Sequence, residues 1–356
     1  MVPSRPPPKP ARSIHLFLVS GHYWQAKCLL AVMVLAFLRT FPAYQAVQTE
    51  FVQATWQAVQ IKLDHPLTDM AKAFPPASHE AKLTFRMTVP LLAHALRLKP
   101  KQLLFLSALV GVFSLFLVLS LTHRLTEDRI VAFLICLAIA CAWAGQTAFH
   151  EFRGGYYDAV ALCALLLAMS ARSPVIAGVC AFVAAWTDER ALIALPLVLF
   201  IERGASRRQA AVACAGLLYV ALRIALAGVC ETPVAGVGLA VFFNQISTIP
   251  LGLWTGLGGC WLLVFYGLGV MLKQQQTFEA IAYALGLTLL LVAAALVTDV
   301  TRSASYCLPS VFAAVFILRH HRHLREVALL AAALSILIPS FYVEGQGVYW
   351  LKPLFF

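Results

Sequence analysis

Charge is scarce in this chain. Asp, Glu, Lys and Arg make up 12% of its 356 residues, against roughly 25% in soluble domains. Acids are the scarcer sign, 16 against 27 basic residues, for a net charge of +11. The basic residues are scattered between apolar runs with no soluble domain to gather them, which excludes a nucleic-acid-binding face. There is no Walker A motif, so nucleotide hydrolysis is excluded, and the absence of HExxH and GxSxG removes the common metalloprotease and lipase readings. No inverted pair of interrupted hydrophobic segments marks a typical secondary transporter. None of the nine cysteines forms a CxxC pair. Nearly all lie in apolar runs, where cysteine packs as a small hydrophobe, so neither a disulfide nor a metal site is expected from them. His320, His321 and His323 in RHHRHLR read as a basic stop beside a span.

What remains is apolar. Hydrophobic residues are 61% of the chain and mean hydropathy is +0.82. A helix needs about 20 mostly apolar residues to cross a bilayer, and many runs qualify. The expected fold is an all-α polytopic membrane bundle of about eleven spans: 24–41, 102–121, 130–147, 156–171, 174–187, 190–201, 210–228, 251–272, 278–297, 304–318 and 327–343. Residues 1–20 are Pro-rich and basic and read as a disordered inner-side tail. Residues 21–356 read as one transmembrane domain. The long loop 44–100 carries two amphipathic stretches, one offering Phe51, Trp56, Val59 and Leu63 to one face and one opened by Ser78. Both are expected to lie along the outer membrane surface.

The charges are sorted by side. Four loops, HRLTEDR, ERGASRRQ, LKQQQ and LRHHRHLRE, are mostly basic. The positive-inside rule places them and the N-terminus in the cytoplasm, and eleven spans then leave the C-terminus in the periplasm. The location is a bacterial inner membrane, with the lipid bilayer as partner. The other loops hold acids beside arginines: FHEFRGGYYD, WTDERAL and VTDVTRS. Parity turns on 174–201. One helix of that length would be about 42 Å long and would bury Asp188, Glu189 and Arg190 in its middle. Two short helices with DER at their turn avoid that. Spans 156–171, 174–187 and 190–201 are then too short for a comfortable crossing, so their outer ends are expected to sit in a recessed, charged cavity.

Candidate substrate-binding residues follow from these segments. FHEFRGGYYD joins His150, Glu151, Arg153, Tyr157 and Asp158 across two glycines, whose backbone permits a tight turn and close approach of a ligand. In WTDERAL, Asp188 suits a helix cap, but Asp188, Glu189 and Arg190 together exceed what a cap needs. Arg86 stands four residues before Pro90, and Asp299 and Arg302 stand three apart. Arginine suits phosphate or carboxylate through paired hydrogen bonds. In the long loop Glu50, Asp64 and Asp69 are candidate bases.

A short inner tail, one span, a long outer loop with amphipathic helices and then many spans with acidic outer turns resembles the GT-C superfamily of integral-membrane glycosyltransferases. Arg86 to Leu92 (RMTVPLL) and Asp188 to Arg190 (DER) are the segments similar to its uncharacterised bacterial branch. The resemblance implies a polyprenyl-phosphate-linked sugar donor, work on the outer face, and a first-loop acid acting as base or binding a divalent metal. Superfamily members often pair acids soon after the first span; here Glu50 stands nearest, with Asp64 and Asp69 further on. The arginines would bind the leaving phosphate. Two other classes stay open: a transporter or flippase of a lipid-linked or anionic solute, and a non-catalytic component of a polysaccharide assembly system. The residues leave the oligomeric state open.

Overall fold

The computed structural model describes residues 18–40, 58–74, 80–150, 157–201, 206–227 and 237–353. The chain is mostly helical. Its main helices are α1 (Trp24–Arg39), α2 (Thr88–Ala95), α3 (Pro100–Thr126), α4 (Arg129–Ala140), α5 (Trp143–His150), α6 (Asp158–Ser170), α7 (Pro174–Thr187), α8 (Arg190–Val198) and α9 (Ser206–Ala227). They continue as α10 (Leu239–Gln245), α11 (Ile249–Leu257), α12 (Trp261–Lys273), α13 (Thr277–Ala295), α14 (Val300–Ser305), α15 (Leu308–Leu318) and α16 (Leu324–Leu337).

Among the described residues, five segments are long and apolar enough to cross a membrane: Phe105–Thr126, Arg207–Leu226, Ile249–Lys273, Thr277–Ala295 and Val300–Leu318. A sixth forms if α4 and α5, bent by 53°, count as one. Asp158–Ser170, Pro174–Thr187 and Arg190–Ile201 are shorter apolar helices. This is a multi-pass helical membrane protein, and many of its largest exposed side chains, such as Phe105, Ile224 and Leu285, are apolar.

The short helices pack closely because small residues line their contacts. Ala177, Ala181 and Ala184 form a fully buried stripe on α7. A Cβ at Gly178 would lie 3.1 Å from the Ala211 carbonyl of α9. The same device seats α14, since a Cβ at Gly256 of α11 would come within 2.5 Å of Ala304 Cβ.

Three expectations are corrected. The last run, 327–343, is not one helix: α16 stops at Leu337 because Pro339 disfavours helix at the preceding residue, and Ile338 is extended at φ −84°, ψ 124°. The chain then forms an antiparallel hairpin, β1 (Phe341–Glu344) with β2 (Gly347–Trp350), Glu344 facing Gly347. Its two-residue turn needs a left-handed first position, which Gly345 supplies at φ 60°. The hairpin is an exception to the all-α expectation. Second, the run 130–147 is broken into two helices, α4 and α5. Third, the second amphipathic stretch of the long loop is split into a 3-10 segment Glu80–Phe85 and the short α2. Pro90 has no N–H to give a helix interior and sits in the first turn of α2. Of the first stretch, residues 58–64 are helical and bury Val59 and Leu63 against Val89 and Ala93 of α2. Phe51, Trp56, Glu50, Glu151 and Arg153 lie outside the described residues.

Candidate functional site

Three short segments bring their charges to one end of the bundle, where the Arg86 segment meets them. Asp158 is the first residue of α6, Asp188 and Glu189 join α7 to α8, Arg190 opens α8, and Asp299 precedes α14. Negative charge is favourable at helix N-termini, so each acid is locally at home. Their number is what needs explaining. The Asp158 and Asp188 side chains are fully buried and that of Arg302 is 4% exposed.

The contacts form a chain. Arg190 donates through Nε to Asp188 Oδ1 at 2.8 Å, and through Nη2 to Asp188 Oδ2 at 2.7 Å. Its Nη1 donates to Ser303 Oγ at 3.1 Å and its Nη2 also reaches Asp158 Oδ1 at 3.4 Å. Asp158 in turn accepts Arg302 Nε at 2.7 Å and the Tyr306 hydroxyl at 2.7 Å. Arg302 Nη1 continues to Asp299 Oδ2 at 2.8 Å, and Tyr342 of the hairpin donates to Asp299 Oδ1 at 3.1 Å. At the other end Arg86 Nη2 lies 3.1 Å from Asp188 Oδ2 and 3.8 Å from Glu189 Oε1. Buried charges persist only when paired, and each carboxylate and guanidinium of this network has at least one partner of opposite charge.

Arg86 is the link between the long loop and the bundle. Thr88 Oγ1 donates to the Val183 carbonyl of α7 at 3.5 Å, and Arg223 of α9 lies over the Phe85 ring, 3.2 Å from its centroid. These contacts hold the Arg86 segment against the DER turn. Burial alone would lower the Arg86 pKa; Asp188 and Glu189 outweigh it and hold the guanidinium above its ordinary value. The Glu189 side chain is 57% exposed beside an Arg86 side chain that is 7% exposed. Among these carboxylates Glu189 is the one that faces outward.

The remaining candidates are placed differently. His150 is buried at the end of α5, its ring 5.9 Å from Trp143, whose ring meets Tyr342 at 4.8 Å. Tyr157 precedes α6 and packs on the Val59, Leu63 and Val89 cluster. Asp64 is exposed and accepts from Gln60 Nε2 at 2.9 Å. Asp69 lies 3.4 Å from Thr84 Oγ1 and 3.9 Å from Lys72 Nζ. Ser303, Tyr306 and Tyr342 are network members that the sequence reading did not single out. Ser303 and Tyr306 sit one and four residues after Arg302 in TRSASY, on the same turns of helix as the arginine. Among the described residues no three His, Cys, Asp or Glu side chains gather to hold a metal ion. Asp158 and Asp188 are instead committed to guanidiniums, which does not fit a divalent cation there.

No family model, no curated protein and no solved structure matches this chain.

Proposed function

We propose that this protein is a GT-C-like glycosyltransferase that moves a sugar from a polyprenyl-phosphate-linked donor to an acceptor hydroxyl. In this reading the charged end of the bundle is the periplasmic face of an eleven-span topology in a bacterial inner membrane, with the N-terminus cytoplasmic. One observation carries it. The two segments that resemble the superfamily, RMTVPLL and DER, are about 100 residues apart in sequence, and Arg86 of the first touches Asp188 and Glu189 of the second.

The roles follow from which guanidinium atoms are already engaged and from which carboxylate is exposed. Arg190 has Nε, Nη1 and Nη2 engaged with Asp188, Ser303 and Asp158, so it positions the acids and is not a ligand contact. Arg86 is the phosphate holder, assisted by the N-terminus of α8. Glu189 is the base in place of Asp64 or Asp69, because among the described residues it is the carboxylate that is both exposed and beside the arginines. A donor phosphate taking Arg86 releases Glu189. The carboxylate then accepts the proton of the acceptor hydroxyl as its oxygen bonds to the anomeric carbon. The bond from that carbon to the phosphate oxygen breaks, and polyprenyl phosphate leaves with the electron pair, stabilised by the guanidinium.

The test is release of polyprenyl phosphate from a panel of polyprenyl-phosphate-linked hexoses and pentoses, using the purified chain in proteoliposomes with a membrane glycan extract as acceptor. Release from at least one donor, reduced about 100-fold in Glu189→Gln, supports the reading. No release from any donor, or equal release by the variant, rejects it. A flippase is the second reading, favoured by the 53° break between α4 and α5, since interrupted helices frequently border transport sites. It moves the lipid across the bilayer with no phosphate released.

A further inference from the structure

The opposite end of the bundle holds a cavity of about 260 Å³ lined by Gln274, Gln276, Phe316, Arg319, His320 and His321. It lies between the α12–α13 turn and the α15–α16 turn. The charge network lies beyond the other end of α13, a helix of 19 residues and therefore about 28 Å long.

The lining is rich in donors. Arg319 rests over the Phe316 ring, 3.9 Å from its centroid, and donates Nη1 to the Phe316 carbonyl at 3.1 Å. Its Nε donates to His320 Nε2 at 3.1 Å. A neutral imidazole that accepts at one nitrogen carries its proton on the other, so His320 presents Nδ1–H. The backbone N–H of His323 donates to His321 Nδ1 at 3.4 Å, and the Tyr266 hydroxyl stands 3.2 Å from the same nitrogen. His321 therefore presents Nε2–H. Gln274 Oε1 accepts from Gln276 Nε2 at 3.1 Å, which leaves the Gln274 amide as a donor. Arg319 Nη2 has no partner among the described residues. Donors come from two arms of the protein, and neither Asp nor Glu lines the cavity. Such a site is complementary to an oxyanion. Its rim also touches the apolar exterior: Leu272 and Phe278, each two residues from a lining glutamine, are 57% and 81% exposed.

We propose that these two turns form a binding site for the phosphate headgroup of an anionic lipid, with the acyl chains running along the exposed face of α12 and α13. The site is independent of the glycosyltransferase reading. The experiment is native mass spectrometry of the full chain in detergent, titrated with phosphatidylglycerol, with phosphatidylcholine and with inorganic phosphate as competitor. Saturable phosphatidylglycerol binding is expected, weakened about tenfold in Arg319→Gln, weakened less in Gln274→Ala, and unchanged in Arg322→Gln, which lies outside the cavity. Thermal melting confirms that each variant is folded. Equal weakening in Arg319→Gln and Arg322→Gln would mean diffuse positive charge and no site, and so would the absence of saturation. Full displacement by inorganic phosphate, with no preference for the lipid, would assign the cavity to a soluble phosphate and overturn the lipid assignment.

Discussion

Arg190 and Arg208 are both arginines set against helix ends, yet they are used in opposite ways. Arg208 gives Nη2 to the carbonyls of Ala168 and Met169, at 2.8 and 2.7 Å, and Arg124 gives Nη1 and Nη2 to those of Ser170 and Met169, at 2.5 and 2.9 Å. These arginines close the C-terminus of α6, whose last carbonyls have no helical partner. Arg190, at the opposite end of the short helices, meets carboxylates instead. Closing this helix end takes two cations and no acid. The other end gathers Arg86, Arg190 and Arg302 with Asp158, Asp188, Glu189 and Asp299, more ionisable groups than any helix terminus asks for. Such a concentration of buried charge marks a candidate site for chemistry or binding.

Substitutions can break that contrast. The largest effect is expected from Asp158→Ala. It leaves Arg190, Arg302 and Tyr306 without their shared acceptor, and removing one partner of a buried ion pair costs about 3–5 kcal/mol. Thermal melting in detergent reads this as a large loss of stability, whereas Asp158→Asn keeps an acceptor oxygen and loses less. Next is Glu189→Gln, which should leave melting unchanged because the side chain is more than half exposed. It should reduce sugar transfer about 100-fold, read as polyprenyl phosphate released. Arg208→Ala sharpens the comparison from the other side. It takes the arginine from the Ala168 carbonyl and one of two arginines from the Met169 carbonyl, at about 1–3 kcal/mol, and should lower the melting temperature while transfer per folded molecule stays at the wild-type level. The smallest effect is Tyr342→Phe, which deletes one hydroxyl donor to Asp299 and should cost about 1 kcal/mol.

Much of the charged end was legible in the sequence. The DER turn, the short helices around it and the pairing potential of Asp299 with Arg302 follow from where charges interrupt apolar runs, and α7 begins and ends at the expected Pro174 and Thr187. Partner choice was not legible. Asp299 and Arg302 do pair, but Arg302 also crosses to Asp158, 144 residues away in the chain, and periodicity carries no information about such distant packing. The hairpin was hidden for a different reason. FYVEGQGVYW is as apolar as a helix end, and its alternation is only four residues long on each side of the turn, so Pro339 and Gly345 were its only strong signals. Tyr342 entered the network with it. The donor-lined cavity was invisible because its donors come from two turns more than 40 residues apart.

The most direct test of the central claim is a double-substitution cycle on Arg86→Lys and Glu189→Gln, with sugar transfer and melting measured on the same preparations. If these two residues act together on one donor phosphate and one acceptor proton, their effects on transfer are strongly non-additive while their effects on melting remain small. Additive effects on transfer, or losses confined to melting, would show that RMTVPLL and DER meet only to hold the fold together.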